Sequence, residues 1–232
     1  MSPRAAIGLS IGAALLALSA VIALSQSTGL DLALQDLLYL PSRHRWLVDS
    51  HAPGPRLLFY DLPKWALYLA APPLLGALAG PRRVGRALRL SRREALYLVL
   101  CLSLVPGLVA VAKATTGVHC PRELQRYGGR AAARSLLASI REPDPDRRGR
   151  CWPAGHPSGG FALMSLFFVA SRRRRWAGLA AGLAAGSVLG AYQILKGAHF
   201  LSHVLVTLTV AWICVAALAL ALGVGPAARD HQ

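Results

Sequence analysis

Three short segments of the sequence combine histidine with lysine, arginine, serine or glycine, residue types that can bind and transfer a phosphoryl group. The segments are residues 113–122, 151–160 and 196–203. Phosphoryl transfer needs cations around the three equatorial oxygens, a nucleophile in line with the bond that breaks, and an acid for the leaving oxygen. Two imidazoles can divide the last two tasks, because the pKa of histidine lies near neutrality. The three segments therefore predict a phosphate site.

The predicted phosphate-binding groups are side-chain cations and a glycine-rich helix start. Lys113, Arg122 and Lys196 supply positive charge. The helix start after Pro157 presents free backbone N–H groups, and Gly155 lets an oxyanion approach the backbone closely. Ser158 is predicted to bind phosphate at the same helix start.

The three segments do not have the composition of a metal site. They lack the carboxylate cage that Mg²⁺ prefers. His199 and His203 lie four residues apart, but the glutamate of an HExxH zinc helix is missing. We therefore expect no metal and no cofactor.

The remainder of the chain has the composition of a membrane protein that would position these segments. Apolar residues make up 54% of the sequence and charged residues 16%, whereas charged residues are about a quarter of an ordinary soluble domain. Apolar runs near the 20 residues that span a bilayer occupy residues 5–25, 65–80, 95–112, 158–170, 176–195 and 204–222. The predicted fold is an all-α integral membrane bundle of about six transmembrane helices. It forms a single domain over residues 1–232, with the chemical segments in a core of about residues 95–222.

Alternation of the spans brings the three segments to one membrane surface. The end of the third span, the start of the fourth and the turn between the fifth and sixth all lie on the same side. Dense arginines at 82–93 and 172–175 predict cytoplasmic connections on the other side, although the loop 113–157 carries nine Lys/Arg of its own. This orientation places the site at the periplasmic or outer face of a bacterial inner membrane. A retained first helix is favoured over a cleaved signal peptide, since its apolar run exceeds 7 to 15 residues.

The net charge of +16 is assigned to the membrane and not to nucleic acid. The arginines flank apolar spans, where they contact anionic lipid headgroups. The expected partners are thus the bilayer and a membrane lipid phosphate, and the sequence leaves the oligomeric state open.

The three segments resemble the phosphate-binding motifs of the type 2 phosphatidic acid phosphatase family, six-helix membrane enzymes that share an active-site plan with vanadium haloperoxidases. Lys113 matches the lysine of the first motif, and residues 153–156 match the second, Pro-Ser-Gly-His, with Ala154 at the serine position. Residues 197–199 match the approach to the third-motif histidine. The resemblance implies that His199 is the nucleophile, that His156 is the general acid, and that the substrate is a lipid phosphate or polyprenyl diphosphate.

Three positions depart from the family pattern. Cys120 and Gln193 stand where the first and third motifs have arginine, and His203 stands where the third has aspartate. We expect Arg122 and Lys196 to replace the missing arginines, and His203 to hydrogen-bond the ring of His199 and fix its tautomer. Two other functions stay open: phosphotransfer to another lipid, and lipid binding or transport by a protein whose site has lost its activity.

Two cysteines mark the ends of the loop that joins the first and second segments. Cys120 and Cys151 would pair in an oxidising compartment, and closing this loop of about thirty residues would contribute on the order of 3 to 4 kcal/mol. The alternative is two free thiols. Trp46, His51 and Lys64 are candidates to cover the site, and His119 is expected to pack within the loop.

Overall fold

The computed structural model describes residues 2–49, 52–142 and 149–225, so His51 lies outside the described residues. The structure is all-α, as predicted, and its helices are α1 Pro3–Ser27, α2 Leu30–Leu38, α3 Pro53–Arg56, α4 Leu62–Ala79, α5 Arg82–Leu88, α6 Arg92–Thr115, α7 Leu136–Arg141, α8 His156–Ala162, α9 Leu166–Val169, α10 Arg175–Leu195 and α11 Leu201–Leu222. Two short strands, β1 Tyr39–Leu40 and β2 Arg45–Trp46, pair antiparallel with Tyr39 opposite Trp46.

Among the described residues, four helices are long and apolar enough to cross a membrane: α1, α6, α10 and α11. They correspond to the first, third, fifth and sixth predicted spans. α4 has only 18 residues and contains Pro72 and Pro73. The fourth predicted span is divided into α8, a 3₁₀ turn at Leu163–Ser165, and α9. A total of six spans therefore stays a prediction.

The ends of α6 place Lys113 at one end of the bundle. The helix begins with a capping box in which the Ser91 hydroxyl accepts from the Glu94 N–H at 3.2 Å and the Glu94 carboxylate accepts from the Ser91 N–H at 2.8 Å. It ends at Thr115, and Gly117 then adopts a φ of +65° that reverses the chain. Lys113 therefore lies in the last turn of α6, next to the loop that contains Cys120.

Glycines allow α8 and α10 to pack closely. A Cβ atom on Gly160 would lie 2.6 Å from the Gly186 nitrogen, and one on Gly186 would lie 2.1 Å from the Phe161 ring. Small residues at helix contacts are typical of membrane bundles, because close backbone approach increases van der Waals packing. This contact holds the start of α8, with His156, beside the end of α10, with Lys196.

The interval 28–64, which lies between the first two predicted apolar runs and was assigned no helix, is largely structured. It contains α2, the β1–β2 hairpin, α3 and a π-helical turn at Leu57–Asp61 that leads directly into α4. α2 forms because its Leu34 and Leu38 pack against the main hydrophobic core. Its nine residues are too few to span a membrane, so the search for long apolar runs did not detect it.

Candidate active site

The three chemical segments meet at one cavity with a volume of about 950 Å³. Seven of the eight predicted catalytic and phosphate-binding residues line it: Lys113, Arg122, Gly155, His156, Ser158, Lys196 and His199. The eighth, His203, lines a separate cavity of about 340 Å³. None of the described residues that line the larger cavity is acidic. Its charged end is therefore suited to an anion.

His199 lies in the connection between α10 and α11 and is almost completely buried. Its Nδ1 atom is 3.4 Å from the Cys151 sulfur, which carries no proton because it is bonded to Cys120. The contact thus favours a proton on Nδ1 and a lone pair on Nε2. Burial lowers the pKa of His199 well below its ordinary value, and the nearby His203, Lys113 and Arg122 act in the same direction. A neutral imidazole is the form that a nucleophile requires.

His156 is the first residue of α8, and its ring is held by the π-helical turn. Its Nε2 atom donates to the Phe59 carbonyl at 2.6 Å, and the ring stacks on Tyr60 with centroids 4.7 Å apart. Burial lowers the pKa of His156, Lys196 and Lys113 add to this effect, and the hydrogen bond to Phe59 opposes it. The Nε2 proton is therefore engaged by a backbone carbonyl.

Three cations surround these histidines. Lys196 Nζ lies 4.4 Å from the centroid of the Tyr192 ring, and burial and the charge of Arg122 lower the Lys196 pKa. The Arg122 backbone N–H donates to the Gly197 carbonyl at 3.0 Å, which ties the first segment to the third. A Cβ atom on Gly155 would lie 3.8 Å from Lys113 Nζ, so the Lys113 ammonium lies beside the Gly155 backbone.

Ser158 lines the cavity, but its donors bond within α8. Its hydroxyl and its backbone N–H both donate to the Gly155 carbonyl. The carbonyl thereby closes the first turn of the helix, which fixes the backbone next to His156. Contact of Ser158 with phosphate stays a prediction.

His203 makes a different contact from the one that was expected. Its Nδ1 atom donates to the Cys151 carbonyl at 3.0 Å, and its ring meets the His199 ring edge-on with centroids 5.8 Å apart. A hydrogen bond from His199 to His203 stays a prediction. Gln193 is buried at the end of α10, and its carbonyl accepts the backbone N–H of Ala198 at 2.9 Å and of His199 at 3.3 Å.

A disulfide between Cys120 and Cys151 joins the first and second segments, with Cα atoms 5.1 Å apart. Possible ligand atoms of Cys151, His199 and His203 lie within 4.8 Å of one another. The Cys151 sulfur cannot act as a thiolate ligand while the disulfide is intact, so the donor set does not fit a Cys-His-His metal centre. His119 packs in the loop and pairs with Glu123 at 3.2 Å.

Several residues that contact the site were not found by sequence reasoning. Phe59 and Tyr60 contact His156, and Phe59 also stacks on Tyr192 with centroids 4.9 Å apart. The signal available in the sequence was the aromatic pair Phe59-Tyr60 next to Asp61, just before an apolar run.

The residues expected to cover the site have different positions. Lys64 lines the cavity. Trp46 packs on Gly197, where an added Cβ atom would lie 2.1 Å from its ring. Trp46 therefore supports the turn that precedes His199 from outside the cavity lining.

Away from the cations, the cavity continues as an apolar arm between helices. Its lining there includes Leu67 of α4, Leu102 and Pro106 of α6, and Val188 and Leu189 of α10. Leu102 precedes Lys113 by eleven residues on α6, which corresponds to about 16 Å along the helix axis. The cavity thus joins a cationic end to a long apolar end.

These features define a membrane-type helical protein with a cationic, histidine-lined cavity at one end of its long helices. Residues 94–223 match the family model of the PAP2 superfamily, and because this is more than half of the chain, the protein belongs to that superfamily. Membership supports a phosphatase-type activity. No curated protein and no solved structure matches the chain. Helices α1 to α5 precede the matched region.

Proposed function

We propose that this protein is an integral membrane phosphatase that hydrolyses a lipid phosphate or polyprenyl diphosphate through a phosphohistidine at His199. The single observation that carries the proposal is the composition of the cavity, which combines two histidines and four cations with a continuous apolar arm. Phosphate would bind at the cationic end, and the lipid chain would lie along Leu67, Leu102 and Val188. The substrate would enter from the bilayer side.

The chemistry follows from the positions of the two histidines. The neutral Nε2 of His199 attacks phosphorus, the bond from phosphorus to the leaving oxygen breaks, and His156 gives its proton to that oxygen. His156, now neutral, then removes a proton from the water that attacks the phosphohistidine. Inorganic phosphate leaves, and both rings return to their starting states. Lys113, Arg122 and Lys196 stabilise the charge on the transferring group, the task that metal ions perform in metal-dependent phosphoryl transfer.

Phosphate release from a panel of lipid phosphates by the purified protein tests the proposal. Replacing His199 with alanine should lower turnover by at least about 1,000-fold, because no covalent intermediate can form. The matched control is His44→Asn, which changes an exposed histidine in a left-handed turn to a residue that tolerates this conformation. Turnover by His199→Ala within about tenfold of wild type would contradict the mechanism.

Further assays test whether the reaction needs a metal and whether water or a second lipid accepts the phosphoryl group. EDTA should leave the rate unchanged, whereas vanadate, which adopts the trigonal bipyramid of the transferring group, should inhibit. Activity that is lost on chelation and restored by zinc or magnesium would contradict the assignment. Radiolabelled phosphate that appears in a second lipid, and not in water, would indicate phosphotransfer.

A further inference from the structure

The segment that contains His199 is held by α2, which lies outside the region that matches the family model. Gln35, with no exposed surface, donates from Nε2 to the His199 carbonyl at 3.0 Å. Asp31, one turn earlier on the same face, accepts the Ser202 backbone N–H at 3.0 Å and also the Ser202 hydroxyl. The two side chains therefore fix both ends of the short connection from His199 to Ser202.

α2 is itself fixed to the loop of the first chemical segment. Asp36 forms a two-point ion pair with Arg126, at 2.8 and 2.6 Å, and the Tyr127 hydroxyl donates to Asp36 at 3.0 Å. The same loop contains Arg122, whose backbone N–H donates to the carbonyl of Gly197. A closed set of contacts thus links α2, the cationic loop and the segment of the nucleophile.

The His199 ring is held by the contact of its Nδ1 atom with the Cys151 sulfur at 3.4 Å and by its own backbone, so a shift of that backbone also moves the ring. A nucleophile must be held within about 0.5 Å of its productive position, and a displacement of about 1 Å can cost 100-fold in rate. In the family pattern a carboxylate four residues after the nucleophile would stand at position 203, where this chain has His203. The Asp31 carboxylate instead acts on residue 202, through the start of α11.

We propose that Asp31 and Gln35 are positioning residues that hold His199 in line with the bound phosphoryl group. The inference rests on the proposed function. Both side chains contact backbone or hydroxyl groups of residues 199–202, so they act through His199 and not on the substrate. α2 therefore contributes to the active site by fixing the backbone of the segment that contains His199.

The test compares Asp31→Asn and Gln35→Leu with Leu34→Ala. Leu34 lies on α2 between these residues and packs on the core, so its truncation weakens α2 without removing a hydrogen bond. For Asp31→Asn and Gln35→Leu we expect kcat to fall about 10- to 100-fold with KM within about twofold, since ground-state binding of phosphate is retained. The melting temperature should fall no further than in Leu34→Ala, which should keep kcat within about twofold. Asp31→Glu should recover part of the loss.

Vanadate binding provides a readout that does not depend on turnover. Vanadate bonds to the nucleophile, so the two variants should bind it at least about tenfold more weakly than wild type, and Leu34→Ala should not. Unchanged kcat and vanadate affinity in both variants, or losses that Leu34→Ala reproduces, would overturn the inference while leaving the phosphatase intact. If wild-type protein bound vanadate without releasing phosphate, the proposed function would fail, and the binding comparison alone would decide the inference. Wild-type protein with neither property would overturn both.

Discussion

Burial lowers the pKa of both His199 and His156, and the consequences differ for their two proposed roles. For His199, a low pKa keeps the ring neutral, so its lone pair is available even in mildly acidic solution. For His156, a low pKa means that the ring carries the second proton, which a general acid needs, only in acidic solution. Burial therefore favours the neutral form that His199 needs as a nucleophile, whereas it restricts the protonated form of His156 to low pH. The protonation of His156 should thus set the upper pH limit of activity.

The pH dependence of kcat/KM follows from these directions. A proton bound with a lowered pKa is lost at a lower pH, so the active fraction of His156 should decline as pH rises through a value below the ordinary 6.5. We expect the falling limb of kcat/KM on the acid side of neutrality, with the rising limb of His199 at still lower pH. A profile measured on a short-chain substrate in detergent checks this. His156→Gln should lack the falling limb, whereas a rate that increases from acidic into alkaline solution would exclude His156 as the acid.

Lys196 is expected to replace the arginine that the family has at the position of Gln193. Changing Lys196 to methionine keeps the apolar stem but removes the charge, and should lower kcat/KM by roughly 100-fold, the usual cost of losing one group that stabilises a transition state. Lys64→Met is the matched control. Lys64 lines the same cavity, but its ammonium lies over the Tyr68 ring, 5.7 Å from the centroid. The cations that lower the pKa of His156 and His199 are Lys113, Lys196 and Arg122, and Lys64 is not among them. Equal losses in the two variants would show that only the total charge matters.

At the scale of elements, the helical stretch from α3 through the π-helical turn is the part that covers His156. The turn presents the Phe59 carbonyl to the ring and lays Tyr60 against its face. A π-helical turn shifts the backbone register by one residue, and such turns are frequent at functional sites. For His156 to protonate a leaving group from Nε2, its hydrogen bond to the Phe59 carbonyl must break.

Removing the Tyr60 ring should therefore change the titration of His156. Tyr60→Ala lets water reach the imidazole, which reduces the desolvation that lowers its pKa. The falling limb of kcat/KM should move to higher pH. Tyr68→Ala is the control: Tyr68 lies in α4, directly after the π-helical turn, and its exposed ring contacts Trp65, so its removal should leave the limb in place. An unmoved limb in Tyr60→Ala would mean that the stacked ring does not control access of water to His156.

The sequence alone predicted those helices that are marked by a continuous pattern of neighbouring residues. The long apolar runs predicted α1, α6, α10 and α11, because an uncharged apolar run of about 20 residues is typical of a membrane-spanning helix. Spacing also indicated which histidines share a surface. α2 was missed because its role depends on partners far along the chain: Asp31 bonds a residue 171 positions away, and Gln35 bonds a carbonyl 164 positions away. The hydrogen bond from His156 to the Phe59 carbonyl could not be predicted either, because every residue has a backbone carbonyl and the sequence does not show which one the ring contacts.

At the scale of the whole molecule, the two short arginine-rich connections and the candidate site lie at opposite ends of the bundle. The connections that contain arginines 82–93 and 172–175 join α4 to α6 and α9 to α10. The cavity lies where α6 ends, where α8 begins and where α10 connects to α11. If the arginine-rich end is cytoplasmic, as the density of positive charge favours, then the site and the Cys120–Cys151 disulfide face the outside. An oxidising compartment on that side is consistent with a disulfide next to the site.

Thiol labelling checks both the disulfide and the orientation. Denatured, unreduced protein should label at Cys101 and Cys214 alone, which are the free cysteines, and reduction should add two further labels. Cys120→Ser is the control, because it should free Cys151 for labelling before reduction. In sealed cells, a reductant that cannot cross the membrane should expose the pair only if the site faces outward. Labelling of both Cys120 and Cys151 without reductant would rule the bond out. Because the bond joins the loop beside Lys113 to the segment that leads into His156, its reduction should also lower phosphate release in parallel with the appearance of the two labels.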